Sequence, residues 1–451
     1  MRIGIDFGTT NSGAAIFDGR RVTLFPLDPA GTPPTVIRSA LYVTRDHQVL
    51  IGREATDTYY RQNSGRPRRL VRQYVGQLEQ IYSDGLEVVE DIFAHIDELS
   101  PGRLLRSLKS ELASEYEGTV IFGRTYELEE LIAIYLREIR RRVEAETGQR
   151  VDGVVLGRPV HFAGTGVVQS GGNERARERL RNAAERAGFP EVAFELEPVA
   201  AALHYELTVT DPQNIVVFDF GGGTLDVTVM RVGRKEERRL FATGGVGIAG
   251  EVFDRRIVEG VVLDHFGRGS TWGDDAIPLP SRYTEALLNW QTILELNRPD
   301  TLHFLRSVQT SSSHPARILA LESLVVNDEG MRLFDDVERA KIALSAVRFA
   351  LIRLTGEEID LWQPLTRSQF QGLISEEMRR IKACLLETLD RSGLGAGDID
   401  AVVRTGGSAQ IPAFIEMLGS IFGPEKVVLS DVFSGVTAGL AIRANDGGLE
   451  P

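Results

Sequence analysis

A chain of 451 residues, 42% apolar and 25% charged, is too long for one ordinary core and suits two or three globular domains. Its net charge of −13 argues against a nucleic-acid partner, which needs a concentrated basic surface. No window approaches the roughly 18 apolar residues of a membrane span, so no membrane partner is expected. Asp6 breaks the only early apolar run before a signal peptide could form, and the single cysteine, Cys384, excludes an internal disulfide. A cytoplasmic location is the expectation, with Cys384 read as core filler on a helix stripe beside Ile381, Leu385 and Leu389.

In chain order, the first elements predicted are a strand over Arg2 to Phe7, a turn, and a second strand over Gly13 to Asp18. An irregular stretch from Pro26 to Gly118 follows. Leu131, Ile132, Tyr135, Leu136, Ile139 and Val143 then fall on one stripe of a helix predicted over Glu127 to Thr147, with Gly148 as its stop. Its arginines, Arg137 to Arg142, interleave with Glu138, Glu144 and Glu146 and read as a solvated face. A buried strand is predicted over Gly153 to Gly157, a helix over Glu174 to Ala187, and another helix opening at Pro198, where the first-turn amide needs no partner.

The second half repeats this order. A strand runs into Asp219, a second strand covers Asp226 to Val232, and a helix starts after Gly250. Phe266 to Asn327 is poorly patterned and holds Trp272 and Trp290, read as buried in an extra helical layer, with a private partner surface as the alternative. Thr366 and Gln369 form a capping box for a helix carrying Phe370, Leu373, Ile374, Met378, Ile381 and Leu385, which Gly393 stops. The strand Ala401 to Arg404 then meets Gly406-Gly407-Ser408. Such alternation specifies an α/β fold.

Two segments look like copies: Ile3-Gly4-Ile5-Asp6-Phe7-Gly8-Thr9-Thr10-Asn11, and Val217-Phe218-Asp219-Phe220-Gly221-Gly222-Gly223-Thr224-Leu225-Asp226. Glycine lets backbone amides approach phosphate oxygens, threonine hydroxyls add donors, and a strand-end Asp can hold the water shell of Mg²⁺. Two facing loops of this kind suit a polyphosphate clamp. Other patterns fail. Asp-Phe-Gly comes without a His-Arg-Asp loop, so a protein kinase is not indicated. Gly245-x-Gly247-x-x-Gly250 has the letters of a dinucleotide fingerprint but not its context.

With four further segments, the paired loops resemble the motifs of the actin, sugar-kinase and heat-shock ATPase superfamily, and most of all the ATPase domain of the seventy-kilodalton heat-shock (DnaK-like) chaperones. Those segments are Gly157-Arg158-Pro159-Val160-His161-Phe162, Glu197-Pro198-Val199-Ala200-Ala201-Ala202-Leu203, Glu338-Arg339-Ala340-Lys341 with Ser345, and Gly406-Gly407-Ser408-Ala409-Gln410-Ile411-Pro412. The resemblance implies a two-lobed actin-like fold of duplicated ribonuclease-H-like domains with a nucleotide cleft. Lobe I would be residues 1–213 completed by 431–451, and lobe II 214–430 with an enlarged outer subdomain at about 250–345.

It also implies ATP or ADP with Mg²⁺ as cofactors, K⁺ as a further cation, slow ATP hydrolysis, and a protein client or co-factor as partner. Asp6 and Asp219 would hold hydrated Mg²⁺, Glu197 would order that shell, and Asp226 would lie nearby. Gly8, Thr9, Thr10, Asn11, Gly221, Gly222, Gly223 and Thr224 would surround the phosphates. Glu338, Lys341 and Ser345 would meet the ribose and adenine, with Gly406, Gly407, Ser408 and Ile411 as the opposite wall. Lys109 would position the attacking water, with the Arg68-Arg69-Leu70 stretch as its rival for the catalytic cation.

Two departures bear on adenine affinity: Gln410 stands where the chaperones carry arginine, and Phe433 where they often carry Asp. The chain stops at Pro451 with no interdomain linker or β-rich substrate-binding domain, as in stand-alone YegD-like proteins, so a nucleotide-driven switch for a separate protein is expected. The alternatives are an actin-like filament or scaffold subunit and a small-molecule kinase.

Overall fold

The computed structural model describes residues 1–63, 66, 69–81, 87–162, 172–233, 235–429 and 434–446. It divides into two units, one formed by Met1–Thr58, Leu104–Phe253 and Gln371–Pro451, the other by Tyr59–Arg103 and Asp254–Phe370.

The first unit holds two sheets built on one plan. Strands β1 (Arg2–Phe7), β2 (Asn11–Phe17), β3 (Val22–Leu24), β4 (Val36–Arg38), β5 (Gly153–Arg158) and β6 (Glu191–Leu196) form the first, in the order β6-β5-β1-β2-β3 with β4 on β2. Strands β7 (Gln213–Phe220), β8 (Leu225–Val232), β9 (Arg239–Val246), β10 (Ala401–Thr405) and β11 (Val427–Leu429) form the second, in the order β9-β8-β7-β10-β11. In each, the leading strand is central, antiparallel to the next strand in sequence and parallel to one that returns later in the chain. Asp6 and Asp219 therefore hold equivalent places, as do their hairpin partners Gly13 and Asp226.

Period-two alternation decides which face each side chain takes. Ile3, Ile5 and Phe7 enter a core completed by the helices Leu128–Thr147 and Gly172–Arg186. Gly4 and Asp6 take the other face, and a Cβ at Gly4 would lie 2.3 Å from the backbone N of Ala441. There the helices Glu197–Glu206 and Gly435–Asn445 pack on each other, so tightly that a Cβ at Gly439 would be 1.6 Å from the carbonyl O of Ala200. They share one small-residue core with both sheets, including Val155, Ala200, Val217, Val403 and Leu440. On the far face of the second sheet, Phe220 meets Phe218 edge-on at 5.5 Å, Phe253 at 5.6 Å and Phe414 at 4.9 Å. Each such pair contributes about 0.5–1.5 kcal/mol beyond area burial.

The Leu128–Thr147 helix ends at Gly148 in the left-handed conformation, and its arginines pair with Glu138 and Glu144. The capping box is present: Thr366 N–H donates to Gln369 Oε1 at 2.9 Å and Gln369 N–H to Thr366 Oγ1 at 3.2 Å. Several expectations need correction. The stretch from Pro26 to Gly118 is not irregular but carries short strands, the helix Arg53–Asn63 and the hairpin Leu70–Ile81 with Glu87–Asp97. The single helix predicted after the capping box is two, Arg367–Leu373 and Ser375–Ser392, broken at Ile374. Cys384 is half-buried on the second.

The second unit also holds the helices Pro299–Gln309, Pro315–Val326 and Gly330–Ala346 and the hairpin Phe349–Thr355 with Asp360–Thr366. Trp272 and Trp290 are half-buried rather than buried, Trp272 lying edge-on to Phe304 at 6.0 Å. Among the described residues, no helix is long and apolar enough to cross a membrane.

Candidate functional site

Three glycine turns meet in the first unit. The first, between β1 and β2, contains Gly8, Thr9 and Thr10, and Asn11 opens β2. Ser39 fixes both its ends, with N–H donating to the carbonyl of Thr10 at 2.9 Å and Oγ donating to that of Gly8 at 2.7 Å. The second turn, Gly221 to Thr224, closes the β7–β8 hairpin with Gly221 N–H donating to Thr224 O at 3.2 Å. The two turns face each other closely: a Cβ at Gly222 would lie 2.6 Å from Thr10 Oγ1, and one at Gly223 3.2 Å from Thr9 Oγ1. The third follows β10, where Gly406 has a φ of 84° that favours glycine, and Ser408 Oγ donates to Gly221 O at 2.8 Å. Gly407 precedes Ser408, and Ile411 is buried just ahead of the helix Pro412–Phe422.

Four carboxylates gather beside these turns. Asp6 and Asp219 sit near the ends of β1 and β7, Asp226 pairs with Asp219 across the hairpin, and Glu197 opens the helix Glu197–Glu206. Glycine at 157 makes the room for Glu197, since a Cβ there would be 3.0 Å from Glu197 Cγ. Lys109, on the single 3₁₀ turn Leu108–Glu111, donates from Nζ to Glu197 Oε1 at 2.5 Å, with 8% of its side chain exposed. Asp226 accepts the N–H of Val160 at 3.1 Å on Oδ1, and Thr224 Oγ1 donates to its Oδ2 at 3.4 Å.

One ammonium does not balance four carboxylates. Burial and then the charge of Glu197 push Asp6 up to about 7 and Asp226 up to about 8. Burial, followed by Glu197, Asp226 and Asp6, holds Asp219 well above the usual carboxylate range. For Lys109, burial favours the neutral amine, but Glu197, Asp6 and Asp219 outweigh it and raise its pKa. Such a site attracts a cation. Among the described residues no group of three or more His, Cys, Asp or Glu is arranged to hold an ion directly. Paired carboxylates with room for water instead suit a hard, hydrated cation.

The remaining predicted residues lie in the second unit. Glu338, Lys341 and Ser345 sit at positions i, i+3 and i+7 of the helix Gly330–Ala346, and so on one face. Lys341 is buried and donates to Asp254 Oδ2 at 2.7 Å. Arg69, the rival cation, is 71% exposed and pairs with Glu98 at 3.2 Å. Arg68 and Phe433 lie outside the described residues. Sequence reasoning did not single out Ser39 or the amide of Val160: Ser39 is distant in sequence from the turn it braces, and a backbone donor leaves no compositional trace.

A family model described as Hsp70 protein matches residues 2–272 and 326–445. The chain is 26% identical over 455 residues to chaperone protein dnaK1 of Nostoc sp. (strain PCC 7120 / SAG 25.82 / UTEX 2576), across 98% of this chain and 54% of that protein. It thus spans about half the length of this curated relative.

Proposed function

Because the chain belongs to the Hsp70 protein family, we propose that it binds ATP and ADP with Mg²⁺, hydrolyses ATP slowly, and uses its nucleotide state as a switch for a protein partner. The observation that carries this reading is the buried Lys109–Glu197 pair, set among Asp6, Asp219 and Asp226 beside three convergent glycine turns. In this reading the amides and hydroxyls of Gly8 to Asn11 and Gly221 to Thr224 hold the phosphates, and Gly406, Gly407, Ser408 and Ile411 line the nucleoside. Glu338, Lys341 and Ser345 serve the ribose and adenine. Asp6 and Asp219 would hold Mg²⁺ through its waters, and the ion, when bound, neutralises phosphate charge.

Lys109 orients the attacking water, Glu197 holds that ammonium in place, and Asp226 accepts hydrogen bonds from the ordered water around it. Little covalent chemistry is required, because phosphoryl transfer to water depends on positioning and charge stabilisation. Closure of lobe I (1–213 with 431–451) on lobe II (214–430) is the proposed output of the switch.

ATP turnover in the wild type, Lys109→Ala, Glu197→Ala and Arg69→Ala tests the assignment. The first two substitutions are expected to lower kcat about 10²–10³-fold, and the third to leave it unchanged. Unchanged turnover in all three would sink the site. A loss confined to Arg69→Ala would move the cationic role to that arginine.

A further inference from the structure

Buried hydroxyls without a partner are rare, because each loses its water on folding and gains nothing in return. Among the described residues, Ser110, Thr228, Thr405 and Thr437 carry such hydroxyls, and two of them, Thr405 and Thr437, lie beside the strand-end aspartates. Thr405 is 1% exposed and Thr437 0%. Thr405 ends β10 in parallel register with Asp219, which puts both side chains on the same face of the sheet. Thr437, on the helix Gly435–Asn445, lies over Gly13: a Cβ there would be 2.8 Å from Thr437 Oγ1, and Gly13 is the register partner of Asp6. Each half of the unit thus sets one orphan hydroxyl beside its strand-end aspartate, the first from a helix and the second from a neighbouring strand. Packing does not call for threonine at either place, since valine fills the same volume with no polar atom to desolvate.

We propose that Thr405 and Thr437 are positioning residues of the nucleotide site. Their hydroxyls donate, directly or through an ordered water, to Asp219 and Asp6 and to the water shell these carboxylates hold when Mg²⁺ and nucleotide are bound. Hydrogen bonds to ionised groups are about twice as strong as neutral ones, so the return on ligand binding exceeds the cost in the free chain. The inference rests on the nucleotide reading above.

The test compares wild type with Thr405→Val, Thr437→Val and Thr405→Ser, using thermal unfolding in EDTA and calorimetric titration with Mg·ADP. Each valine variant is expected to unfold roughly 1–3 °C higher than wild type in EDTA, because an unsatisfied hydroxyl has been removed. Its Mg·ADP affinity should fall about tenfold, while Thr405→Ser, which keeps the hydroxyl, binds as wild type does. Wild-type affinity in both valine variants would overturn this inference and leave the nucleotide reading standing. A loss of affinity accompanied by a lower unfolding temperature, and not relieved in Thr405→Ser, would mark a packing role and overturn it too. Absence of any Mg·ADP binding by wild type would overturn both.

Discussion

At the scale of single residues, the unequal count of charges around Lys109 sets how the free chain responds to pH. Asp6 titrates at about 7 and Asp226 at about 8 in the folded chain, against an ordinary value of 3.8. Between that value and the folded ones, the native state keeps protons that the unfolded chain has already released. Stability from these groups is therefore fully present below the ordinary value and is lost as pH rises through the folded values. In EDTA, the unfolding temperature should fall between about pH 5.5 and about pH 8.5, and Asp226→Asn should flatten the fall, since an amide has no proton to lose. The Mg²⁺ that enters with ADP would place positive charge beside these carboxylates once they are ionised, so the stabilising shift given by Mg·ADP should be larger at the upper end of that window. Fluorimetric melts across the window check both points. A flat or rising wild-type profile, or an unaltered slope in Asp226→Asn, would contradict this account of the cluster.

At the scale of elements, the position of Asp6 and Glu197 depends on how closely two helices approach. Gly439 lets the helix Gly435–Asn445 lie directly on the backbone of Ala200, three residues beyond Glu197, and Gly4 lets the same helix lie on β1. A methyl group at 439 would meet a carbonyl oxygen, not the yielding end of a side chain. Gly439→Ala is therefore expected to destabilise by more than about 3 kcal/mol, beyond ordinary overpacking. Gly372, within the helix Arg367–Leu373, has nothing within 4 Å of an added Cβ, and Gly372→Ala should be neutral or stabilising by up to about 1 kcal/mol. Urea denaturation of the pair decides it, and equal effects would refute this view of the helix contact. Gly439 carried no such meaning in the sequence, where it reads as one more small residue. What could be read there was local: the stripe Leu131 to Val143, the Thr366–Gln369 cap, and the two hairpins ending in aspartate. The stretch from Pro26 to Gly118 could not, because strands of three to five residues are too short to show a clear alternation, and one of them, β4, is held by β2 from outside the stretch. The break at Ile374 escaped notice because one apolar periodicity runs across it.

At the scale of the whole molecule, the duplicated sheet plan does not by itself select a function, since the same architecture serves chaperones, filament subunits and kinases. The choice falls to features that differ between the halves. Gly13 in the first sheet stands where the second carries Asp226, and Glu197 enters the space left by Gly157, whose place in the second sheet is taken by Thr405. At these two positions the first half leaves room where the second carries a polar side chain, so the halves are not interchangeable, an arrangement suited to an asymmetric ligand with phosphates at one end. A scaffold subunit would couple nucleotide binding to self-association; a switch would couple it to local ordering. With Mg·ATP the chain is therefore expected to stay in the supernatant on ultracentrifugation, while amide exchange slows at Gly8 to Asn11, Gly221 to Thr224 and Gly406 to Ser408. Added unfolded polypeptide should raise ATP turnover. ATP-dependent pelleting would transfer the chain to the scaffold class, and ADP release that follows an added small-molecule acceptor would transfer it to the kinases. Slowed exchange in all three turns, without pelleting and without acceptor-dependent ADP release, is the result a nucleotide switch gives, because three segments far apart in sequence protect together when one ligand bridges them.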